Sequence, residues 1–333
     1  TPAVCCSCLA TEPGAEPPDL AALVPRCPEG PCPLQPLPTP FETYCLLDPT
    51  TAQCTAAANA NLANLVRLER HWATVMIECD SKYVARNLCL NRDLLALHEA
   101  DLRGEAAGAA LQTLYQLAAL EAREPYLQRA IDMNQKSLDR IDQLQQAGLP
   151  AEVDRGAIAV SLDELKDQRA QLQFARLQLN GQLQKLLACS INEFQFYWPQ
   201  IEWQPSLAPL NVEEEVAEGL ASRTDMRGVG LVLCQVEKST LRVARGVLQI
   251  ADQAAGSVEP TEGWVHRLRC ICCSDHEVDV RCQQLRLLYE SSEQLATAEI
   301  KNAVYKIALQ QRRVQLAREA VGWQRVAIAC RGR

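Results

Sequence analysis

The sequence is short of aromatic residues, which make up 5% of its 333 positions, and it holds only 15 glycines. β-Sandwiches and barrels need β-branched and aromatic strands with frequent turns, so this composition argues against an all-β domain. Histidine occurs only 4 times. Catalytic signatures are missing too: there is no G-x-S-x-G, no P-loop, no H-E-x-x-H and no dinucleotide fingerprint. Acidic and basic residues alternate along the helical stretches, as on the solvated face of a coiled coil, and no carboxylate pair marks a general acid and base. The sequence therefore points to no catalytic residue, no enzyme activity and no cofactor. No run reaches the roughly 18–20 apolar residues of a membrane-spanning helix. The net charge of −8 argues against a nucleic-acid-binding surface as the main function, since that needs a basic face.

Apolar residues make up 48% of the chain, enough to bury a core in one large domain or two ordinary ones. From about residue 56 onward Leu, Ala, Gln, Glu and Arg dominate, and these are strong helix formers. The ends differ from the middle. Of 16 cysteines, Cys5, Cys6, Cys8, Cys27, Cys32, Cys45 and Cys54 fall in the first 54 residues, together with most of the 18 prolines. Residues 1–54 are thus expected to form an extended, partly disordered arm. The cysteine load suits an oxidising compartment. No basic n-region with an apolar h-region is present, so any signal peptide is expected to have been removed already. Cys5-x-x-Cys8 has no second ligand pair nearby, which favours chance clustering or disulfides over a metal site.

The periodicity predicts an all-α fold of long antiparallel coiled-coil helical hairpins in two repeats, with at most one small β-hairpin. Helix is expected from near Thr55 to Ile77, then an irregular piece over 80–91, then a long helix from Asn91 or Asp93. Leu117, Leu120, Leu127, Ile131, Leu138 and Ile141 form its heptad seam, and Pro125 predicts a kink or break. The helix is expected to end at Ala147-Gly148-Leu149-Pro150, where Gly supplies a left-handed C-cap and Pro forbids continuation. The next helix, about Ala151 to Leu187, carries Ile158, Leu165, Leu172, Leu179 and Leu186 at strict seven-residue spacing. A short turn between two such seams makes the arms antiparallel. Residues 190–212, with Trp198, Pro199, Trp203, Pro205 and Pro209, read as a crossover loop. A short helix over Val212–Ala221 and a longer one over Thr224–Ala255 follow. Residues 256–280 read as an interruption, with a small β-hairpin from strands 264–270 and 276–282. The last helix, about Val280 to Ala329, has Ile300, Ile307, Val314, Val321 and Ile328 at sevens.

The halves look like copies. Leu114-Tyr115-Gln116-Leu117-Ala118 matches Val304-Tyr305-Lys306-Ile307-Ala308, and Leu95, Leu97 and Ile131 pair with Leu285, Leu287 and Val321 at the same offset. The domains are read as an arm (1–54), a first repeat (55–189, tip at 147–151), a crossover (190–212) and a second repeat (213–333) expected to lack its returning helix.

This duplicated arrangement resembles the TolC-type outer-membrane efflux family. The likeness rests on Ala147-Gly148-Leu149-Pro150 with Asp154, on Leu177 through Leu183 with Leu186-Leu187, on Ala221-Ser222-Arg223-Thr224-Asp225-Met226-Arg227, and on Ala298-Glu299-Ile300 through Tyr305. In the third stretch Thr224 stands where the family has Pro. The resemblance implies a homotrimeric, non-catalytic conduit or docking cylinder in the periplasm and outer membrane. It implies a periplasmic adaptor protein and an inner-membrane pump as partners, with Gly148, Leu149, Pro150 and Asp154 as the adaptor-contact tip. The chain departs from the family in leaving no room for a pair of membrane strands between Ile77 and Leu94, since each needs about 9–11 residues. The alternative is a coiled-coil envelope scaffold that kept the hairpins without the pore. Cys5 or Cys6 is a lipid-anchor candidate. His266, Cys270, Cys272, Cys273 and His276 are dense enough to hold Zn²⁺ or Cu⁺, but they do not split into two separated pairs, so a disulfide or free thiols is the reading taken and no metal is assigned.

Overall fold

The computed structural model describes residues 34–36, 43–79, 82–148, 154–188, 195–201, 208–258 and 271–331. Among these the chain is overwhelmingly helical, with long helices and one small sheet, as the periodicity predicts. It divides into two compact units, each discontinuous in sequence: residues 1–60 with 103–201, and 61–102 with 202–333.

The first unit is a long helical hairpin with a sheet at its base. Strand β1 (Leu34–Pro36) pairs antiparallel with β2 (Thr43–Leu47), and β2 pairs parallel with β3 (Gln195–Pro199), in register from Thr43↔Gln195 to Leu47↔Pro199. The expected crossover loop thus contains a strand, and the expected Pro/Cys-rich arm contributes two strands and the start of a helix. Helix α1 (Pro49–Ala58) begins inside that arm because Pro49 occupies its first turn, where a missing N–H costs nothing. Asp48 caps it, accepting from the Thr51 backbone N–H at 2.9 Å. Cys45, on β2, is disulfide-bonded.

Helix α3 (Lys82–Gln146) and helix α4 (Arg155–Leu187) are the arms of the hairpin. α3 starts at Lys82, not near Asn91, so nearly all of the expected irregular piece over 80–91 is helical. It runs on through Pro125 without a break in assignment. α4 starts at Arg155 rather than Ala151. The arms pack as the seams predict. At the base, Leu114, Leu117, Leu183 and Leu187 join Ala52, Ala56, Leu47 and Tyr197 in one buried cluster. Farther along, Ile131, Leu138 and Leu162 form a second, with Leu127, Ile158 and Leu165 against it. Polar ties fix the register: Glu121 with Arg176 at 2.7 Å, Asn134 with Ser161 at 3.4 Å and Asp142 with Arg155 at 2.7 Å.

Two seam positions of α4 are polar and work for the sheet. Buried Asn180 accepts from the Tyr197 backbone N–H at 2.7 Å and donates to the Arg176 carbonyl at 3.0 Å. The Arg176 guanidinium lies 5.1 Å from the Tyr44 ring and 5.6 Å from the Phe196 ring, and donates to the Tyr44 hydroxyl. Asn59 donates to the Leu187 carbonyl at 2.6 Å, covering the end of α4.

The second unit comprises α2 (Asn61–Cys79), the first turns of α3, α5 (Val212–Ser222), α6 (Thr224–Gln235), α7 (Leu241–Ala251) and α8 (Ile271–Arg331). The single helix expected over 224–255 is two. Thr240 explains the break: its hydroxyl donates to the Gln235 carbonyl at 2.7 Å and accepts from the Glu237 N–H at 2.9 Å. Such local side-chain bonds compete with the helical ladder. The expected strand over 276–282 is helix, part of α8, and its partner over 264–270 lies outside the described residues. The core gathers Leu90, Val232, Val243, Ala244, Leu248 and Leu285.

An ion cluster borders that core. Arg245 donates to both Glu277 oxygens at 2.7 and 2.8 Å, and Arg281 donates to the Val258 carbonyl at 2.8 Å and reaches Glu277 at 3.3 Å. The hydrogen bonds from Arg245 hold the Glu277 carboxyl below its ordinary value, against the opposing effect of burial. A carboxylate depressed in the folded state contributes stability above its unfolded pKa, lost as the pH falls through the lower folded value. Acidification below about pH 4.3 is thus expected to lower the urea midpoint. Glu277→Gln is expected to be less stable at pH 7 and to lose less on acidification. Parallel pH profiles for the two proteins would refute the assignment.

Candidate docking site at the hairpin tip

The tip is built by two helix ends and the clamp between them. α3 closes with Ala147 N–H bonding the Gln143 carbonyl and Gly148 N–H the Gln145 carbonyl, both at 3.0 Å. Gly148 sits at φ +71°, the left-handed conformation that lets a chain leave a helix and that glycine adopts at no steric cost. α4 opens on Asp154, an N-cap in extended conformation whose Oδ1 accepts from the Gly156 N–H at 2.8 Å. Arg155, the first residue of α4, forks onto Asp142, one turn in from the end of α3, Nε to Oδ1 at 2.7 Å and a terminal N–H to Oδ2 at 3.3 Å. That hydrogen bond lowers the Asp142 carboxyl and raises the Arg155 guanidinium. The clamp fixes the two helix ends side by side.

Gly148 and Asp154 are exposed, and a Cβ added at Gly148 would meet nothing within 4 Å. Of the four tip residues read from sequence, Leu149 and Pro150 lie outside the described residues. The Asp142–Arg155 fork is not part of the sequence reading, because an acid and a base so far apart in the chain pair only once the arms are in register.

A groove of about 620 Å³ lies along the hairpin, lined by Leu120, Arg123, Tyr126 and Leu127 of α3 and by Gln171 and Leu172 of α4, among others. It sits at the level of Pro125, whose ring removes one ladder hydrogen bond and presses on the preceding turn.

The motif Arg223-Thr224-Asp225 becomes a junction. Arg223 separates α5 from α6, bonds both Asp225 oxygens at 3.0 and 3.1 Å through Nε, and reaches Glu299 of α8 at 2.5 Å. Thr224 donates to Asp101 at 2.8 Å. The Asp225 carboxyl is lowered, first by Arg223. These bonds pin the junction of α5 and α6 to α8 and to α3.

Of the thiol and imidazole cluster, His266 and Cys270 lie outside the described residues. Cys272, Cys273 and His276 lie on the first turns of α8 rather than on a β-turn, and His276 is exposed. Among the described residues no group of three His, Cys, Asp or Glu side chains is placed to hold a metal ion. Among them, too, no helix is long and apolar enough to cross a membrane. No family model, no curated protein and no solved structure matches the chain.

Proposed function

We propose that this chain is a TolC-like component of an envelope export system, working as a homotrimeric docking cylinder without a catalytic step. Its hairpin tip would meet a periplasmic adaptor protein, itself attached to an inner-membrane pump. One observation carries this reading: a sealed antiparallel hairpin whose end is clamped by Asp142 and Arg155 while Gly148 and Asp154 stand bare. A hairpin whose arms are tied together next to exposed helix ends suits docking. The Cys45 disulfide agrees with a periplasmic location.

A second reading, a coiled-coil envelope scaffold without a pore, is favoured by the connection from α2 to α3. Only Asp80 and Ser81 separate Cys79 from Lys82. A membrane strand takes about 9–11 residues, so no strand pair fits there. The experiment is the native mass of the protein extracted with detergent from separated membranes. A trimer in the outer-membrane fraction is expected; a soluble monomer or dimer would leave the scaffold. Within the docking reading, Gly148→Trp is expected to abolish export and, despite the local strain of a non-glycine residue at φ +71°, to leave the helical circular dichroism intact, because an added Cβ meets nothing within 4 Å. Unchanged export would remove the tip assignment.

A further inference from the structure

The chain as a whole carries more acid than base, 41 residues against 33, but the stretch of α8 from Lys301 to Gln324 reverses this balance. It holds Lys301, Lys306, Arg312, Arg313 and Arg318 against the single acid Glu319. Every residue from Leu316 to Gln324 is exposed. Such a stretch would be only marginally stable as an isolated helix in water, and here it extends a helix of 61 residues.

Its surface is patterned. Tyr305, Leu309, Arg312, Leu316, Glu319 and Trp323 follow one another at alternating steps of four and three, the spacing of a coiled-coil seam. The apolar members are 59%, 52%, 47% and 74% exposed, in chain order. This seam is distinct from the one at Ile300, Ile307, Val314 and Val321, which lies across the helix. Beside the exposed seam, at the flanking positions that pair charges between helices, the charged residues are Lys306 and Arg313, with no acid among those positions.

We propose that this exposed face of α8, Tyr305 to Trp323, is a docking surface for an acidic amphipathic α-helix of a partner protein. Three observations select that occupant. The four–three spacing asks for a helix rather than an irregular peptide. The cationic flanks ask for glutamate or aspartate beside the partner's apolar seam. The side of α8 across from Tyr305 and Trp323 is apolar at Ile307, Val314 and Val321, whereas a helix lying on a lipid surface needs a polar outer face there. Two helices of a second copy are poor matches. Its acid-rich helix α5, with Glu213, Glu214 and Glu215, already packs on α8 beside Ile300. The exposed stripe of α2 (Leu62, Leu65, Glu69, Trp72) carries a single acid and is flanked by Val66, Leu68 and Ala73. The inference rests on α8 alone and makes no use of the hairpin tip that carries the docking-cylinder reading.

The test uses a labelled synthetic peptide of about four heptads, with Leu in its seam and Glu at every flanking position; self-repulsion keeps this probe from pairing with itself. A control peptide carries Lys at those positions. Fluorescence anisotropy with the full chain is expected to show saturable binding of the Glu peptide at least tenfold tighter than the Lys peptide. The preference should weaken with salt. Lys306→Glu with Arg313→Glu should reverse it, and Trp323→Ala should weaken the Glu peptide while leaving circular dichroism unchanged. Equal affinity for both peptides, binding of neither, or an unchanged preference in the charge-reversed protein would overturn the proposal. Concentration-dependent self-association lost with Trp323→Ala would also overturn it and make the occupant a second copy. Binding to phosphatidylglycerol vesicles in place of the peptide would make it a lipid surface.

Discussion

Glu121→Ala is expected to lower the unfolding free energy of the hairpin by about 3–5 kcal/mol, the largest single effect in this unit. The Glu121 and Arg176 side chains are 6% and 12% exposed and lie 2.7 Å apart, between the two arms and under the sheet. Arg176 is held there by Tyr44 and Phe196 as well, so it cannot swing to water when its carboxylate is removed. The cost is that of an uncompensated guanidinium in a low-dielectric site, not the net worth of the pair. Urea denaturation followed by circular dichroism measures it. The companion experiment is Glu121→Leu with Arg176→Met: removing both charges together should cost much less than the sum of the single changes. A loss below about 1 kcal/mol for Glu121→Ala would place the pair in the class of solvent-screened surface bridges and refute its structural role.

Leu183→Ala comes second, with an expected loss of about 2–5 kcal/mol. Leu183 is fully buried where both arms, α1 and the sheet converge, against Leu114, Leu117, Ala56 and Tyr197. Four elements cannot all move in to fill the space, so a cavity remains, and cavity volume adds to the lost burial. Phe174→Ala is the internal control. Phe174 lies on the same helix but faces outward and is 62% exposed, so its truncation should change stability by less than about 0.5 kcal/mol. Equal losses at the two positions would mean that the inward face of α4 has been misassigned.

The contrast between those residues was legible in the sequence. Leu172 and Leu179 recur at seven-residue spacing, and a periodicity of that strength dictates which face is buried. The turn was legible for the same kind of reason: Gly148 and Asp154 are the residue types that end one helix and begin another. What the sequence concealed is non-local or depends on position within a turn. Pro49 reads as a helix breaker until Asp48 is seen to cap the helix that Pro49 starts. Pro125 reads as a kink or a break, yet α3 is continuous through it and the arms on both sides are held by packing. The aromatic segment Phe196-Tyr197-Trp198 reads as a loop because its partner, Thr43–Leu47, lies some 150 residues away, and no local pattern announces a parallel pair at that separation. The break between α6 and α7 has no Gly or Pro, only the hydroxyl of Thr240. Of the candidate site, the tip was readable and the clamp was not, since a fork between Asp142 and Arg155 exists only once the arms are brought side by side.

The register of the arms has a consequence for length. Glu121 with Arg176 and Asp142 with Arg155 are pairs whose residue numbers share one total, which means the arms keep step from base to tip. A cut of seven residues from α3 and the facing seven from α4 would therefore preserve every remaining pairing and shorten the rod by about 10 Å. Unequal cuts would slide the seams past each other and expose them. The hairpin is in this sense a telescoping ruler, adjustable in heptad steps without altering either its base or its end.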